Sequence, residues 1–154
     1  MGGDHGGYAL KKRLVALLRR RGDEVADLGT HSPKPCDYPP IGYKVAKAVA
    51  SGEFDRGILI CKSGNGIAMV ANKVRGIRAA ICHDVKSAQH SRQHNDANIL
   101  VLGAEAIPAT RAEAITKAWV AADFEGGRHA RRVRQMARLE QEIARDTKSS
   151  RRRS

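Results

Sequence analysis

The feature that most constrains the fold is a regular alternation of short apolar segments with longer amphipathic ones. Three short segments are typical of buried strands: GILIC at 57–61, IRAAIC at 77–82 and NILVLG at 98–103. A fourth, EVADLGT at 24–30, alternates apolar and polar residues and is also predicted to be a strand. Apolar residues at helical spacing predict helices at 8–22, 39–53, 66–74, 85–94, 108–122 and 128–145.

Strands that alternate with helices predict an α/β protein with a parallel sheet covered on both faces. Ligands of such sheets bind beyond the carboxyl ends of the strands. The candidate site residues fall at those ends. Cys61 closes one predicted strand, His83 and Asp84 follow another, and GDHGG at 3–7 opens the first helix.

Residues 1–146 are predicted to form a single domain, since 154 residues with 42% apolar content suit one domain with its own core. Residues 147–154 are predicted to be a basic disordered tail, because they contain no apolar side chain. Residues 128–154 hold ten Lys/Arg against three Asp/Glu and so carry +7 of the net charge of +12. A block of this kind either stays solvated or binds nucleic acid.

Cysteine usage and hydropathy predict a cytoplasmic protein. Cys36, Cys61 and Cys82 are odd in number and widely spaced, which argues against a disulfide framework or a structural zinc site and favours a reducing compartment. No apolar run approaches the ~20 residues that span a bilayer. The N-terminus lacks the apolar segment of a signal peptide.

The stretch ICKSGNGIAM at 60–69 combines a thiol at a strand end with a loop of small residues that leads into a helix. Such a loop lets backbone N–H groups approach an anion. The spacing is neither that of a phosphate-binding P-loop nor G-x-G-x-x-G. A base beside oxyanion donors suits proton abstraction next to a carbonyl group. The alternative is that Cys61 is only a small core residue.

Five segments in order make the chain similar to the type B ribose-5-phosphate isomerases, a family that includes allose- and galactose-phosphate isomerases. These segments are GGDHGGYALK, CDYP, GILICKSGNGIAMVANKVRGIRAAICHD, SAQHSRQHNDANILVLG and FEGGRHARRV. The resemblance spans residues 2 to about 140. It implies a Rossmann-like three-layer α/β/α sandwich with a five-stranded parallel sheet. It also implies dimers, or tetramers of dimers, that share active sites between subunits and need no metal or nucleotide cofactor.

The resemblance implies an aldose–ketose isomerase of the pentose phosphate pathway that works through a cis-enediolate on a sugar phosphate substrate. Cys61 matches the family's base, which moves a proton between C1 and C2. The loop that holds the enediolate oxygen in the family matches Ser63, Gly64, Asn65 and Gly66.

The remaining site residues are also implied by position. His94 matches the histidine that opens the furanose ring, with Asn95 beside it as a further donor. Arg128 and Arg132 match arginines that grip the phosphate, and His129 lies next to them. In the family, the residues that match His94, Asn95, Arg128 and Arg132 come from the partner subunit. The pocket itself matches Asp4, which holds sugar hydroxyls, His5 near the phosphate, and Tyr38.

Each of these features has a simpler interpretation. His90 and His94 are spaced for a metal pair, but spacing supplies no third ligand, so no metal site is predicted. GGDHGG on its own is also typical of a helix-capping turn. Arg128 and Arg132 on their own are typical of a solvated helix face.

Three departures from the family pattern stand out. Lys62 occupies a position where the family has Gly, and Glu105 occupies one where many members have a phosphate-binding Arg. The family's first strand has several apolar residues before G-x-D-H, whereas only Met1 and Gly2 precede Gly3 here. Without that strand, two sheet edges would face a gap. We therefore expect the protein to begin about four to six residues earlier, with mostly apolar residues.

Two other functions stay open from the sequence. One is isomerisation of a six-carbon sugar phosphate such as allose or galactose 6-phosphate. The other is a non-catalytic module that binds nucleic acid through the basic tail. The second is disfavoured, because no aromatic residues interleave with the basic ones to stack on bases.

Overall fold

The computed structural model describes residues 1–151 and contains the predicted alternation of strands and helices. Its strands are β1 (Gly2–Gly3), β2 (Gly57–Cys61), β3 (Ala79–Ile81) and β4 (Ile99–Gly103). Its helices are α1 (Tyr8–Arg20), α2 (Tyr38–Ala50), α3 (Asn65–Ala71), α4 (Val85–Asn95), α5 (Ala109–Ala121) and α6 (Gly127–Arg151). Every predicted helix is present, and all except the last lie within a few residues of their expected bounds.

The strands form one parallel sheet in the order β1-β2-β4-β3, which confirms the predicted α/β fold. Cys61 at the end of β2 lies opposite Gly103 at the end of β4, and Gly3 of β1 lies opposite Ile60. The carboxyl ends of three strands therefore meet at one edge of the sheet. The two central strands, β2 and β4, are buried along their whole length.

Helices cover both faces of the sheet. Ile58 and Ile60 of β2 pack into a core with α1, α4 and α5, whereas Leu59 and Cys61 pack into a second core with α2 and α3. This alternation follows the two-residue period of a strand. Burying one such aliphatic side chain contributes ~1.5–3 kcal/mol, so both faces of the strand hold the three layers together.

The strand predicted at 24–30 is not formed, and the sheet has four strands among residues 1–151 instead of five. The segment is extended beside β1 and keeps three backbone hydrogen bonds. The amine of Met1 donates to Ala26 O (2.7 Å), Leu28 N–H donates to Met1 O (2.8 Å), and Thr30 N–H donates to Gly3 O (3.0 Å). With a two-residue β1 as its neighbour, the segment has too short a partner for a regular ladder.

An open cavity of about 610 Å³ lies at the amino end of β1. It separates the 24–28 segment from β2 and from the helices beneath the sheet. Its apolar lining comes from Met1, Leu18, Val25, Val45, Val49, Ile58, Trp119 and Val120. Several of these side chains belong to the two cores, so the cavity adjoins both layers of helices at this end of the sheet.

At β3, the outer strand opposite β1, a side chain pairs with the backbone. Asn72 Nδ2 donates to Ala79 O (3.0 Å), and Ala79 N–H donates to Asn72 Oδ1 (2.8 Å). The amide thus makes the two hydrogen bonds that a further strand would make with this residue of β3.

The last helix is longer than predicted, since α6 continues to Arg151 and passes the expected boundary at 146. Residues 152–154, the end of the predicted tail, lie outside the described residues, and their disorder stays a prediction. Within the described chain, no helix is long and apolar enough to cross a membrane.

Candidate active site

The thiol of Cys61 lies at the carboxyl end of β2, where the chain turns into α3. The residue is 4% exposed, and Gly64 N–H donates to its Sγ at 3.1 Å. Gly64 has a φ of 84°, and a Cβ there would lie 3.3 Å from Gly103 N. Only glycine readily combines this left-handed backbone with such a close approach. The turn therefore directs a backbone N–H at the sulfur.

The loop after Cys61 presents polar groups to solvent. Ser63 and Asn65 are exposed, and Asn65 N–H donates to Ser63 Oγ at 3.3 Å. Tyr38, at the start of α2, covers Gly66, where a Cβ would lie 2.6 Å from the tyrosine ring. The loop and the Tyr38 ring thus form one wall beside the thiol.

Asp4 and His5 follow β1 at the same edge. Asp4 is 6% exposed, and its Oδ1 accepts a hydrogen bond from Gly7 N–H at 3.0 Å. His5 Nδ1 lies 3.1 Å from Cys36 O and 3.2 Å from Cys36 N. The structure thus brings eight predicted site residues to one edge, and we call them the thiol cluster: Asp4, His5, Tyr38, Cys61, Ser63, Gly64, Asn65 and Gly66.

Three of the other predicted residues, His94, Arg128 and Arg132, lie with Glu125 and His129 where α4 ends and α6 begins. We call these five residues the histidine cluster. The rings of His94 and His129 stack with centroids 4.3 Å apart and an angle of 8°. Glu125 Oε2 lies 3.8 Å from His94 Nε2 and 3.9 Å from His129 Nε2. Burial lowers the pKa of His129, and the nearby charges of His94 and Arg128 lower that pKa further.

Glu125 is not among the site residues predicted from the sequence, and His129 enters there only as a neighbour of the arginines. Both lie in the segment FEGGRHARRV, whose resemblance to the family is the one signal that could have found them. Their contact with His94 depends on the packing of α6 against α4, which local sequence does not reveal. Asn95 does not join the cluster: its residue is exposed and lines a cavity of about 360 Å³ between β3 and α6.

The histidine cluster is poorly arranged for a metal ion, although potential ligand atoms of His94, Glu125 and His129 lie within 4.8 Å of one another. Nearly parallel stacked rings direct their in-plane lone pairs side by side, whereas a shared ion needs them to converge. Arg128 Nε, 3.5 Å from His129 Nε2, adds a positive charge that would repel a cation. The concentration of cationic groups suits an anion better.

The two clusters lie at opposite ends of the strands, the thiol cluster at the carboxyl ends and the histidine cluster at the amino ends. Cys61 is the last residue of β2. At the other end of this strand, Gly57 N–H donates to Asn98 O (2.8 Å), and Asn98 lies three residues after the end of α4, the helix that carries His94. At ~3.3 Å per residue, these two ends of β2 are about 13 Å apart. One chain therefore keeps its thiol cluster away from its histidine cluster.

Comparisons with known proteins show the family of the chain. The profile of the Ribose/Galactose Isomerase family matches residues 1–136. Ribose-5-phosphate isomerase B of Escherichia coli K12 is 50% identical over 140 residues, which are 91% of this chain and 94% of that protein. The D-erythrulose-4-phosphate isomerase of Pectobacterium atrosepticum is 40% identical, over 91% of this chain and 93% of that protein.

A solved structure extends the likeness to the whole fold. Ribose-5-phosphate isomerase B of Clostridium thermocellum superposes with a TM-score of 0.91 at 51% identity, covering 92% of this chain and 96% of that one. The family match to residues 1–136 includes the loops after β1, β2 and β4 and the start of α6. On these grounds the chain belongs to the ribose/galactose isomerase family and is a sugar-phosphate isomerase.

Proposed function

We propose that this sugar-phosphate isomerase interconverts ribose 5-phosphate and ribulose 5-phosphate through a cis-enediolate, as a cytoplasmic enzyme of the pentose phosphate pathway. The observation that carries the proposal is the buried Cys61 thiol, which accepts a hydrogen bond from Gly64 N–H beside an exposed polar loop. The names of the E. coli and C. thermocellum relatives support the choice of sugar.

Cys61 acts as the base in this proposal. Its thiolate removes the proton from C2 of the open-chain aldose, and the resulting thiol returns a proton to C1. A second proton passes from O2 to O1, so that the carbonyl group moves from C1 to C2. The negative charge that develops on the oxygen needs fixed donors. The hydroxyl of Ser63 and the N–H groups of the following residues supply them.

A second copy of the chain completes the site, as a homodimer or as part of a tetramer. This part of the proposal is supported by the separation of the two clusters, since one copy cannot bring its own histidine cluster to its own thiol. His94 of one chain would open the sugar ring bound at the thiol of the other. Arg128 and Arg132, one helical turn apart, would hold its phosphate through charge-assisted hydrogen bonds.

An assay across sugar phosphates tests the substrate. The purified protein is given ribose 5-phosphate, allose 6-phosphate, galactose 6-phosphate and erythrose 4-phosphate, and kcat/KM is measured for each. We expect the highest value for ribose 5-phosphate. Erythrose 4-phosphate is included because one relative is named for D-erythrulose 4-phosphate. A clear preference for a four- or six-carbon substrate would replace the proposed sugar and keep the reaction class.

A further inference from the structure

The two loop residues that depart from the family pattern contact each other. Lys62 Nζ lies 3.6 Å from Glu105 Oε1, with the two side chains 59% and 68% exposed. The backbone joins the same two loops, because Glu105 N–H donates to Lys62 O (3.0 Å) and Ala104 N–H donates to Cys61 O (2.9 Å). The loop after β2 and the loop after β4 are thereby held together at the carboxyl edge of the sheet.

A third loop meets them at the side chain of Lys62. A Cβ on Gly6 would lie 2.4 Å from Lys62 Cγ, so the aliphatic part of the lysine lies directly on this glycine. Gly6 belongs to the loop that carries Asp4 and His5. The ammonium group of Lys62 is thus placed at the junction of all three strand-end loops, the region where ligands of parallel sheets bind.

The side chains of Lys62 and Cys61 lie on opposite faces of the sheet. The Cys61 side chain packs with α2 and α3, whereas Lys62 extends across the loop that begins α1 to the loop that precedes α5. The ammonium group is therefore suited to a charged group at a distance from the carbon atoms that react at the thiol. The phosphate of a sugar phosphate is such a group.

The ion pair is weak enough to change partners. Exposed pairs of this kind contribute only ~0–1 kcal/mol, and 3.6 Å is too long for a direct hydrogen bond. A phosphate dianion carries more charge than a carboxylate and offers more acceptor oxygens. It would attract the ammonium group more strongly than Glu105 does.

We propose that Lys62 is a ligand of the substrate phosphate, and that Glu105 holds its ammonium group while the site is empty. The inference rests on the proposed function and deepens it by adding a phosphate contact from the same chain as the thiol. Glu105 acts through Lys62 and is a positioning residue. Its carboxylate competes with the phosphate for the ammonium group.

Kinetics of matched variants test the proposal. Lys62→Met should raise KM for ribose 5-phosphate by about 10-fold or more, because a charge-assisted bond is lost, and should leave kcat within about twofold. Lys62→Arg should stay close to wild type. Glu105→Gln should lower KM by about two- to threefold, because the competing charge is gone. Lys73→Met, which removes an exposed lysine after α3, is the matched control and should change nothing.

Two results would overturn the proposal. One is an unchanged KM in folded Lys62→Met, which would make the ion pair a surface contact without a role in binding. The other is a lower kcat with a displaced pH profile and an unchanged KM, which would mean that Lys62 acts on the thiol. Calorimetric binding of inorganic phosphate to the wild type, Lys62→Met and Lys62→Arg needs no turnover. It therefore tests the lysine even if the wild type isomerises none of the sugars, which would refute the proposed function alone.

Discussion

At the scale of single residues, the chemistry of this chain depends on the residues at the ends of its strands and in the loops beyond them. Cys61 and Asp4 are buried polar groups placed by neighbouring parallel strands, and each accepts a hydrogen bond from a glycine N–H three residues further along. Both bonds lie within short loops, so the local sequence was informative about them. The contacts of Glu125 and His129 join α4 to the start of α6, and no local pattern could predict them.

Replacing Cys61 tests the proposed base. We expect Cys61→Ala to lower kcat by ~10²–10⁴ while the protein stays folded, because the proton loses its acceptor. Turnover and thermal unfolding are measured together. Cys82→Ala is the matched control: Cys82 is also a buried free cysteine, and its loss should affect stability more than turnover. Wild-type turnover in folded Cys61→Ala would refute the assignment.

Gly66 tests the wall beside the thiol. A Cβ at this position would lie 2.6 Å from the Tyr38 ring, so Gly66→Ala should displace the ring and cost ~1–3 kcal/mol of folding stability. Activity should fall as well. In the double variant Gly66→Ala/Tyr38→Ala, the stability should exceed that of Gly66→Ala, while the activity should remain low. Additive losses of stability in the double variant would show that the methyl group and the ring do not collide.

At the scale of elements, the helices and the strands β2, β3 and β4 could be predicted because each has its own apolar pattern. The segment 24–30 has the pattern of a strand too, but a strand also needs a partner. Its neighbour β1 offers two residues, and the ladder ends there. Pairing is a property of two segments, so the pattern of one could not decide it. The same lack of a long neighbour accompanies the cavity beside Met1.

In a chain whose first residue is Met1, the buried amine of that residue gives this end of the sheet a pH dependence. Burial lowers its pKa from 8.0 to about 6, against an opposing effect of Asp27. The unfolded chain then binds more protons than the folded chain between pH 6 and 8. Stability should therefore be greatest above pH 8 and fall as the pH decreases to 6, by on the order of 2 kcal/mol. Denaturant unfolding at pH 6, 7 and 8 measures this.

Acetylation of the same amine provides the control, since it removes the titrating group and leaves the histidines unchanged. The difference in pH slope between the free and the acetylated chain isolates the contribution of Met1. Parallel slopes would contradict the assignment of the pH dependence to this amine.

At the scale of the whole molecule, the proposed function requires an assembly, because one chain keeps its thiol cluster apart from its histidine cluster. The family resemblance predicted site residues that belong to both clusters. It could not show that they lie at opposite ends of the strands, because that depends on the direction in which α4 runs back along β4. Arg128 and Arg132 are exposed in the single chain, as residues that serve a neighbour would be.

Complementation tests the shared site. Cys61→Ala and the double variant Arg128→Ala/Arg132→Ala should each be nearly inactive. After subunit exchange in an equal mixture, half of the dimers are hybrids with one intact site, so activity should recover to about a quarter of the wild-type value. Exchange is verified with differently tagged chains. Complete exchange without recovery would mean that each site is built within one chain.

The amide of Asn72 has a consequence for how copies of this protein can meet. By occupying the donor and the acceptor of Ala79, it removes one residue of β3 from the template on which a foreign strand would grow. Pairing of a foreign strand with Ala79 would first have to break both hydrogen bonds and leave the Asn72 amide without these partners. Edge-to-edge pairing of folded molecules along β3 is therefore disfavoured at Ala79.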